Sequence, residues 1–302
     1  MIDLSIFSRI TMLSKLRYFR GHDRANLAKL RNLVRPDHCA DQLGVVPDRC
    51  RLLSGGTLNL AFRAVSTDGS LRCLKTHLTE DGSIALRQEA TLLQALYGDR
   101  IELRCIQTAD RDWLVMKLLA PIEPADCLAV GPAWILETLG RVAGIEYLPT
   151  ITDSFADIMA AAGQALGYLS HEGQIHGQTI SRLLSSLDRL AEAAGGLDHR
   201  LCHGDLGPQN IMRDEGGLIL IDWEDMLQAF AGYDWIYWLS FHANRHLISR
   251  AALSRSGLPE QLGLDILIAI VLVKSHLSLC SGAAAGHKTP IENRLLGILD
   301  LG

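Results

Sequence analysis

The spacing of apolar residues divides the chain into a strand-rich part and a helical part. Short apolar or alternating runs predict β-strands at 50–53, 60–65, 71–77, 101–107 and 113–118. Between the third and fourth strands, apolar residues three or four positions apart predict a helix over 83–97, which Gly98 ends. From residue 126 the spacing is helical, with predicted helices at 154–169, 180–194, 260–279 and 290–301. The pattern therefore predicts a small sheet with one helix, followed by a larger helical part.

The first residues predict a basic amphipathic helix over 4–20, in which apolar residues form one stripe and basic residues are interleaved with them. Residues 1–35 hold eight Lys and Arg against two Asp, a balance of +6. Because the whole chain carries −5, the remaining residues carry −11. Such a helix can lie in a membrane interface, but a helix packed on the body of the protein, or a leader, is the favoured interpretation.

Composition narrows the class of protein. The 302 residues are 48% hydrophobic and 21% charged, which is ordinary for a globular protein, and the net charge of −5 gives no reason to expect a nucleic-acid partner. Seven single Cys without a CxxC pair argue against a disulfide framework or a zinc site and favour a cytoplasmic protein. The apolar run 264–279 is broken by Asp265, Lys274 and His276, so it predicts a buried helix and not a membrane span.

The stretch 201–223, LCHGDLGPQNIMRDEGGLILIDW, concentrates the candidate chemistry. Asp205 and Asn210 frame the pattern D-x-x-x-x-N, and Asp222 follows at the end of the next predicted strand. The first Asp can orient a hydroxyl group and accept its proton, while Asn210 and Asp222 can supply oxygen ligands to Mg²⁺. Protein kinases use these residue types in the same order, which indicates metal-assisted phosphoryl transfer.

The motif HGDxxPxN followed by IDWE resembles the aminoglycoside phosphotransferase and choline kinase family of protein-kinase-like small-molecule kinases. The resemblance implies an α+β, bilobal protein-kinase-like fold, with an N-terminal antiparallel sheet lobe carrying one helix and a larger, mostly helical C-terminal lobe. It divides the chain into an N-terminal helical extension (1–48), the nucleotide-binding lobe (49–119) and the helical lobe (120–302), which holds the catalytic loop, the Mg²⁺ site and the acceptor site. Backbone groups near 116–119 would bind adenine.

The same resemblance extends to the nucleotide site. The stretch 53–65, LSGGTLNLAFRAV, is similar to the nucleotide loop of choline and thiamine kinases, and implies that Gly55, Gly56 and Asn59 contact the nucleotide. By itself, a Gly-Gly turn is more typical of a plain hairpin, and its place in the order of motifs favours the nucleotide loop. Lys75 matches the strand lysine that bridges the α- and β-phosphates. Glu89, on the predicted helix that follows this strand, is expected to pair with Lys75.

Residues beyond Asp222 are expected to support the site. Asp234 stands at the distance from Asp222 where the family has a buried Asp that hydrogen-bonds the catalytic loop, although Phe-Ala-Gly at 230–232 replaces the usual Gly-Asp-Pro. Glu224 and Asp225 either face the acceptor or are solvated. Seven of the 17 aromatic residues fall between positions 223 and 241. They can hold a quaternary ammonium group or form the core of a helix, and the core is favoured.

The expected function is transfer of the γ-phosphoryl group of ATP, with Mg²⁺, to a hydroxyl of a small molecule. The acceptor is an amino alcohol such as choline, ethanolamine or thiamine, an aminoglycoside, or a sugar. In this reaction Asp205 is the catalytic residue, and His203 braces its loop. The alternative is a pseudokinase-like regulatory protein that binds a nucleotide without turning over a small molecule. A protein kinase is disfavoured, because Gly204 replaces the usual Arg and no A-P-E segment follows Asp222.

Overall fold

A computed structural model of the protein describes residues 31–53, 59–78, 82–122, 132–143, 153–281 and 289–302. The predicted helix 4–20 and the predicted nucleotide-binding residues Gly55 and Gly56 lie outside these ranges. The chain forms two compact units. The sheet unit comprises Met1–Glu123, Gly144–Pro149 and Gln209–Asp225, and the helical unit comprises Pro124–Ala143, Thr150–Pro208 and Met226–Gly302. Unlike in the expected division at residue 120, the segment from Gln209 to Asp225 belongs to the sheet unit.

The sheet unit is built on a five-stranded antiparallel sheet with the order β1-β2-β3-β5-β4. Its strands are β1 (Arg51–Leu52), β2 (Asn59–Val65), β3 (Leu71–His77), β4 (Arg104–Gln107) and β5 (Asp112–Lys117). The predicted strand 101–107 is shorter than expected, because a 3-10 helix (Gly98–Ile101) and Glu102 with φ 49° precede β4. Helix α2 (Gly82–Tyr97) contacts β3 and β5.

Residues before the sheet contribute to its core. The short helix α1 (Ala40–Leu43) lies between two 3-10 helices, Pro36–Cys39 and Pro47–Arg49. Val34, Leu43 and Val45 are buried in one cluster with Leu60 and Trp113 of the sheet. The part of the expected extension 1–48 that the structure describes is therefore integral to the sheet unit, since removing it would expose these apolar side chains.

The sheet unit also contains a three-stranded sheet, which includes the later part of the stretch 201–223. Its order is β6-β8-β9, with β6 (Ala120–Pro121), β8 (Ile211–Asp214) and β9 (Gly217–Leu220). Arg100 fastens the β8–β9 turn by pairing with Asp214 and by donating to the Gly217 carbonyl at 2.9 Å. A Cβ at Gly216 would lie 2.7 Å from Arg100 Nε, so a larger residue at this position would displace the Arg100 side chain from these contacts.

The helical unit holds the remaining elements. They are α3 (Pro132–Ala143), α4 (Phe155–His171), α5 (Gly177–Ala194), β7 (His199–Cys202), β10 (Leu227–Phe230), α6 (Tyr233–Leu239), α7 (Arg250–Ser254), α8 (Glu260–Ser281) and α9 (Ile291–Leu299). Strands β7 and β10 pair antiparallel. The Asp157 carboxylate accepts the Ser154 backbone N–H at 2.9 Å, which caps the first turn of α4. The α+β prediction, an antiparallel sheet part followed by a mostly helical part, is confirmed.

Helix α8 is the centre of the helical unit. Within the described ranges, Glu260–Cys280 is the one segment long and apolar enough to cross a membrane by length and composition alone. However, 72% of its apolar window is buried inside the protein, and the helix contacts α4, α5, α6 and α9. This burial is typical of a core helix, as the interrupted apolar run predicted.

Candidate active site

Three charged side chains meet in the sheet unit. Lys75 on β3 places its Nζ 2.6 Å from Glu89 Oε2 on α2, and it also donates to Asp222 Oδ1. The Asp222 backbone N–H donates to the other Glu89 oxygen at 2.8 Å. Lys75 and Glu89 are 8% and 1% exposed. The predicted pairing of Lys75 with Glu89 is therefore present, and Glu89 fixes both the lysine and the backbone of Asp222.

Burial and charge act in opposite directions on this cluster. Burial disfavours the ammonium form of Lys75, but the carboxylates of Asp222 and Glu89 outweigh it and raise the Lys75 pKa well above its ordinary value. Burial raises the pKa of Glu89 to about 7, against the attraction of Lys75, which lowers it. Lys75 is thus held as a cation, as phosphate binding requires, while ionisation of Glu89 depends on the presence of that cation.

Asp222 has an unusual backbone. Its φ of 66° lies in the left-handed region, which a non-glycine residue adopts at a cost of about 1–3 kcal/mol. The chain then enters a 3-10 helix, Trp223–Asp225. The bond from the Asp222 N–H to Glu89 holds this conformation and turns the carboxylate toward Lys75.

The two predicted magnesium ligands lie at the same end of the β8–β9 hairpin. The Ile221 N–H donates to the Asn210 carbonyl at 2.9 Å, one step beyond the pair Ile211 and Leu220. Asn210 is thereby placed opposite the residue that precedes Asp222. No group of three His, Cys, Asp or Glu side chains suited to a metal occurs among the residues that the structure describes. One amide and one carboxylate nevertheless fit Mg²⁺, which usually takes few protein oxygens and completes its shell with phosphates and water.

Glu224 and Asp225 are neither solvated nor available on the surface, since they are 7% and 3% exposed. Asn59 Nδ2 donates to Glu224 Oε1 at 2.5 Å, and His77 Nε2 lies 3.5 Å from Glu224 Oε2. Of the two alternatives left open for Glu224, the solvated one is excluded, because its carboxylate is buried against Asn59 at the start of β2 and His77 at the end of β3. The predicted nucleotide-binding residue Asn59 uses its amide for this contact.

The catalytic loop belongs to the helical unit and is held by Asp234. This side chain, 1% exposed, accepts the backbone N–H groups of His203 at 2.9 Å and Gly204 at 3.0 Å. Burial raises the pKa of Asp234, although His203 and these two N–H groups lower it. The Asp205 N–H donates to His203 Nδ1 at 3.3 Å. The predicted hydrogen bonds from Asp234 to the loop are confirmed.

Asp205 itself is half-buried and has a partner that sequence reasoning missed. Tyr237 on α6 donates its hydroxyl to Asp205 Oδ1 at 2.7 Å. This bond holds one carboxylate oxygen in place, and each oxygen of a carboxylate can accept more than one hydrogen bond. The only sequence signal for Tyr237 is its position in α6, one helical turn after Tyr233, on the same helical face as residues that pack in the core.

The aromatic residues of the 223–241 region mainly form core. Trp223 is buried in the sheet unit, and in the helical unit Tyr233, Trp235 and Trp238 are buried. Phe230 packs edge-to-face on Phe155 at 4.7 Å between ring centroids. The favoured core interpretation is confirmed. One aromatic pair also contacts a cation, because Lys274 Nζ lies 4.3 Å from the Tyr237 ring centroid and 3.2 Å from that of Phe241.

Comparison with known proteins identifies the family of this chain. The sequence profile of the phosphotransferase enzyme family, APH, matches residues 49–260, more than half of the chain. The chain belongs to the APH phosphotransferase family. Membership of this family makes the chain a phosphotransferase family protein. The kinase-like fold that the motifs implied is the fold that is observed. The sequence has no significant match among curated proteins.

Solved structures show the same APH fold. A thermostable mutant of aminoglycoside phosphotransferase APH(4)-Ia shares 15% identity with a TM-score of 0.60, covering 88% of this chain and 98% of that one. Choline kinase LicA from Streptococcus pneumoniae shares 18% identity with a TM-score of 0.57, covering 88% and 97%. Ethanolamine kinase Pv091845 from Plasmodium vivax shares 15% with a TM-score of 0.54, covering 95% and 97%. At these identities the likeness concerns the fold alone.

Proposed function

We propose that this APH family member transfers the γ-phosphoryl group of ATP, with Mg²⁺, to a hydroxyl group of a small molecule. The observation that carries the proposal is the network of Lys75, Glu89 and Asp222, which the fold maintains at the cost of burying two charges, those of Lys75 and Glu89, and straining one backbone. Such a cost is retained where the charges act on a ligand. Solved relatives hold AMP-PNP or ADP, which supports ATP as the donor.

On this proposal, Lys75 binds the phosphates and Glu89 keeps its ammonium in place. Asn210 and Asp222 would hold Mg²⁺, which supplies electrostatic stabilisation of charge on the phosphate oxygens. To bind the phosphates, the Lys75 ammonium would exchange its contact with Asp222 for phosphate oxygens. The preorganised charges lower the barrier because they are already oriented before the transfer.

Asp205 acts on the acceptor in this proposal. Its carboxylate accepts a hydrogen bond from the acceptor hydroxyl and then its proton, as the hydroxyl oxygen bonds to the γ-phosphorus and the bond to ADP breaks. Tyr237 fixes one oxygen of the carboxylate, and Asp234 fixes the loop. Alignment of the hydroxyl is the main contribution expected of these residues.

The candidate acceptors are an amino alcohol, an aminoglycoside or a sugar. Among the structural relatives are kinases of choline, ethanolamine and amicoumacin, and a complex with hygromycin B.

The six cysteines within the described ranges are free thiols, which supports the proposal of a cytoplasmic protein.

The test measures ADP release with ATP and Mg²⁺ over a panel of choline, ethanolamine, thiamine, homoserine, hexoses, amino sugars, sugar acids and aminoglycosides. We expect stimulation by one acceptor class, lost by at least about a hundredfold in Asp205→Ala and Asp222→Asn. The matched control Asp198→Ala removes an exposed carboxylate of the helical unit and should leave turnover unchanged. ATP binding without stimulation by any acceptor would instead favour the regulatory, pseudokinase-like alternative.

A further inference from the structure

Two cationic side chains converge on one residue of the helical unit. Lys274 on α8 donates from Nζ to Ser240 Oγ at 3.0 Å, and Arg294 on α9 donates from Nη2 to the Ser240 carbonyl. Ser240 directly follows α6, which carries both Tyr237 and Asp234. Three separate elements therefore bring two positive charges to the same point.

This point is connected to the predicted catalytic residue through a single side chain. Lys274 Nζ lies 4.3 Å from the centroid of the Tyr237 ring, and the hydroxyl of that ring donates to Asp205 at 2.7 Å. The same ammonium lies 3.2 Å from the ring centroid of Phe241. The side chain of Tyr237 thus contacts the Lys274 ammonium through its ring and the Asp205 carboxylate through its hydroxyl.

The burial of Arg294 is not balanced by a carboxylate within the described part of the chain. Burial alone lowers the pKa of Arg294, and no charged neighbour contributes. Its Nε is buried and makes no hydrogen bond to the described residues. Glu292, on the same helix, pairs with His176 at 3.2 Å. The C-terminus of α6 offers at most about half a negative charge, and α6 is short, so the helix end offsets only a fraction of the guanidinium charge.

We propose that Lys274 and Arg294 bind an anionic group, a carboxylate or a phosphate, on the hydroxyl acceptor. The inference rests on the proposed function and narrows its acceptor class to molecules such as sugar acids, sugar phosphates or hydroxy acids. A planar guanidinium and an adjacent ammonium suit such oxyanions, because charge-assisted hydrogen bonds to them are strong. The rings of Tyr237 and Phe241 already contact an ammonium, which excludes a quaternary ammonium group from this aromatic pair.

The first experiment measures anion binding without turnover. Inorganic phosphate is titrated into the full chain by calorimetry at constant ionic strength, using wild type, Arg294→Gln, Lys274→Gln and Lys75→Ala. We expect binding to weaken at least about tenfold in the first two variants, which is about 1.4 kcal/mol, and a phosphate-binding event to persist in Lys75→Ala. Arg182→Gln, which removes an exposed cation of α5, is the matched control and should bind as wild type does. Arg294→Lys should recover part of the affinity.

The second experiment compares acceptors that differ only in the anionic group. ADP release is measured with glucuronate or glucose 6-phosphate against glucose, and with glycerate against glycerol. We expect kcat/KM to favour the anionic member at least about tenfold, and Arg294→Gln to remove the preference mainly through KM. The carboxylate and phosphate arms distinguish the two sources of the anion.

Specific outcomes overturn the inference. If Arg294→Gln and Lys274→Gln lower the melting temperature while phosphate binding is unchanged, the two cations only stabilise the end of α6. Equal or better use of neutral acceptors would also overturn it, while leaving the proposed function intact. The proposed function fails separately, if the wild type does not bind AMP-PNP or if no acceptor is phosphorylated.

Discussion

Replacing Asp234 with Asn isolates the contribution of one buried carboxylate to the catalytic loop. The substitution keeps the size of the side chain and removes its charge. In the wild type, the two carboxylate oxygens accept the N–H groups of His203 and Gly204. The amide of Asn can accept only one of them, and its NH₂ group would face the other N–H as a second donor.

The magnitude follows from these contacts. A hydrogen bond to a charged group contributes about 1.5–3 kcal/mol, and a buried N–H without a partner costs about 1–3 kcal/mol. Asn avoids the cost of burying a carboxylate, the cause that raises the Asp234 pKa, and this offsets part of the loss. We expect a net destabilisation of about 2 kcal/mol, or a melting temperature lower by about 4–8 °C.

The effect on catalysis should be larger than the effect on stability. The N–H groups lost from Asp234 belong to the two residues directly before Asp205, so the loop shifts where alignment matters. A displacement of about 1 Å can cost about a hundredfold in rate. We therefore expect kcat to fall by about ten- to a hundredfold, with the KM for ATP nearly unchanged, because Lys75 and Glu89 belong to the sheet unit.

The assay combines thermal unfolding with steady-state kinetics on the acceptor that the panel identifies. Asp265→Asn is the matched control, because Asp265 is also a buried carboxylate of the helical unit and accepts hydrogen bonds from Ser186 at 2.6 Å and from Arg189. It should destabilise the protein by a similar amount with kcat preserved. A normal kcat in Asp234→Asn, or an equal loss in Asp265→Asn, would refute the positioning role of Asp234.

Two further predictions concern the charges of the site. Burial raises the pKa of Glu89 to about 7, so the carboxylate that holds Lys75 is ionised above that pH and becomes protonated as the pH falls through it. We therefore expect kcat/KM for ATP to fall about tenfold per pH unit below this pKa. Glu89→Gln should be weakly active without this acidic limb, and an unchanged limb would contradict the assignment. Tyr237→Phe removes the hydroxyl that donates to Asp205 and keeps the ring, so kcat should fall about tenfold with little change in melting temperature. Tyr168→Phe, which removes the hydroxyl of a tyrosine of α4 stacked on His276, is the control and should keep kcat.

Local sequence patterns were enough to predict the strand that carries Lys75 and the helix that carries Glu89. The strand 71–77 and the helix 83–97 were predicted within one residue of β3 and α2, because alternation and three-to-four spacing are properties of contiguous residues. Lys75 and Glu89 lie on these two consecutive elements, so their pairing follows once strand and helix pack together. Asp234 was assigned through a family resemblance, and its bonds to the catalytic loop are present.

Local patterns could not show contacts between distant segments. Asn59 and Glu224 are 165 residues apart in sequence, and their hydrogen bond depends on how β2 lies against the 3-10 helix after Asp222. The sequence left two alternatives open for Glu224 for this reason: acidic residues are usually exposed, and burial is decided by the tertiary structure.

By itself, the amino-acid sequence determined the fold class, the motif residues and the family, because each is carried by the type and spacing of residues along the chain. Only the tertiary structure decided which charges meet. Tyr237 reached Asp205, and Lys274 and Arg294 reached Ser240, through the packing of α6, α8 and α9. In the sequence these residues are ordinary core and surface positions. Their electrostatic interactions depend on distance in space, which the periodicity of a single element does not contain.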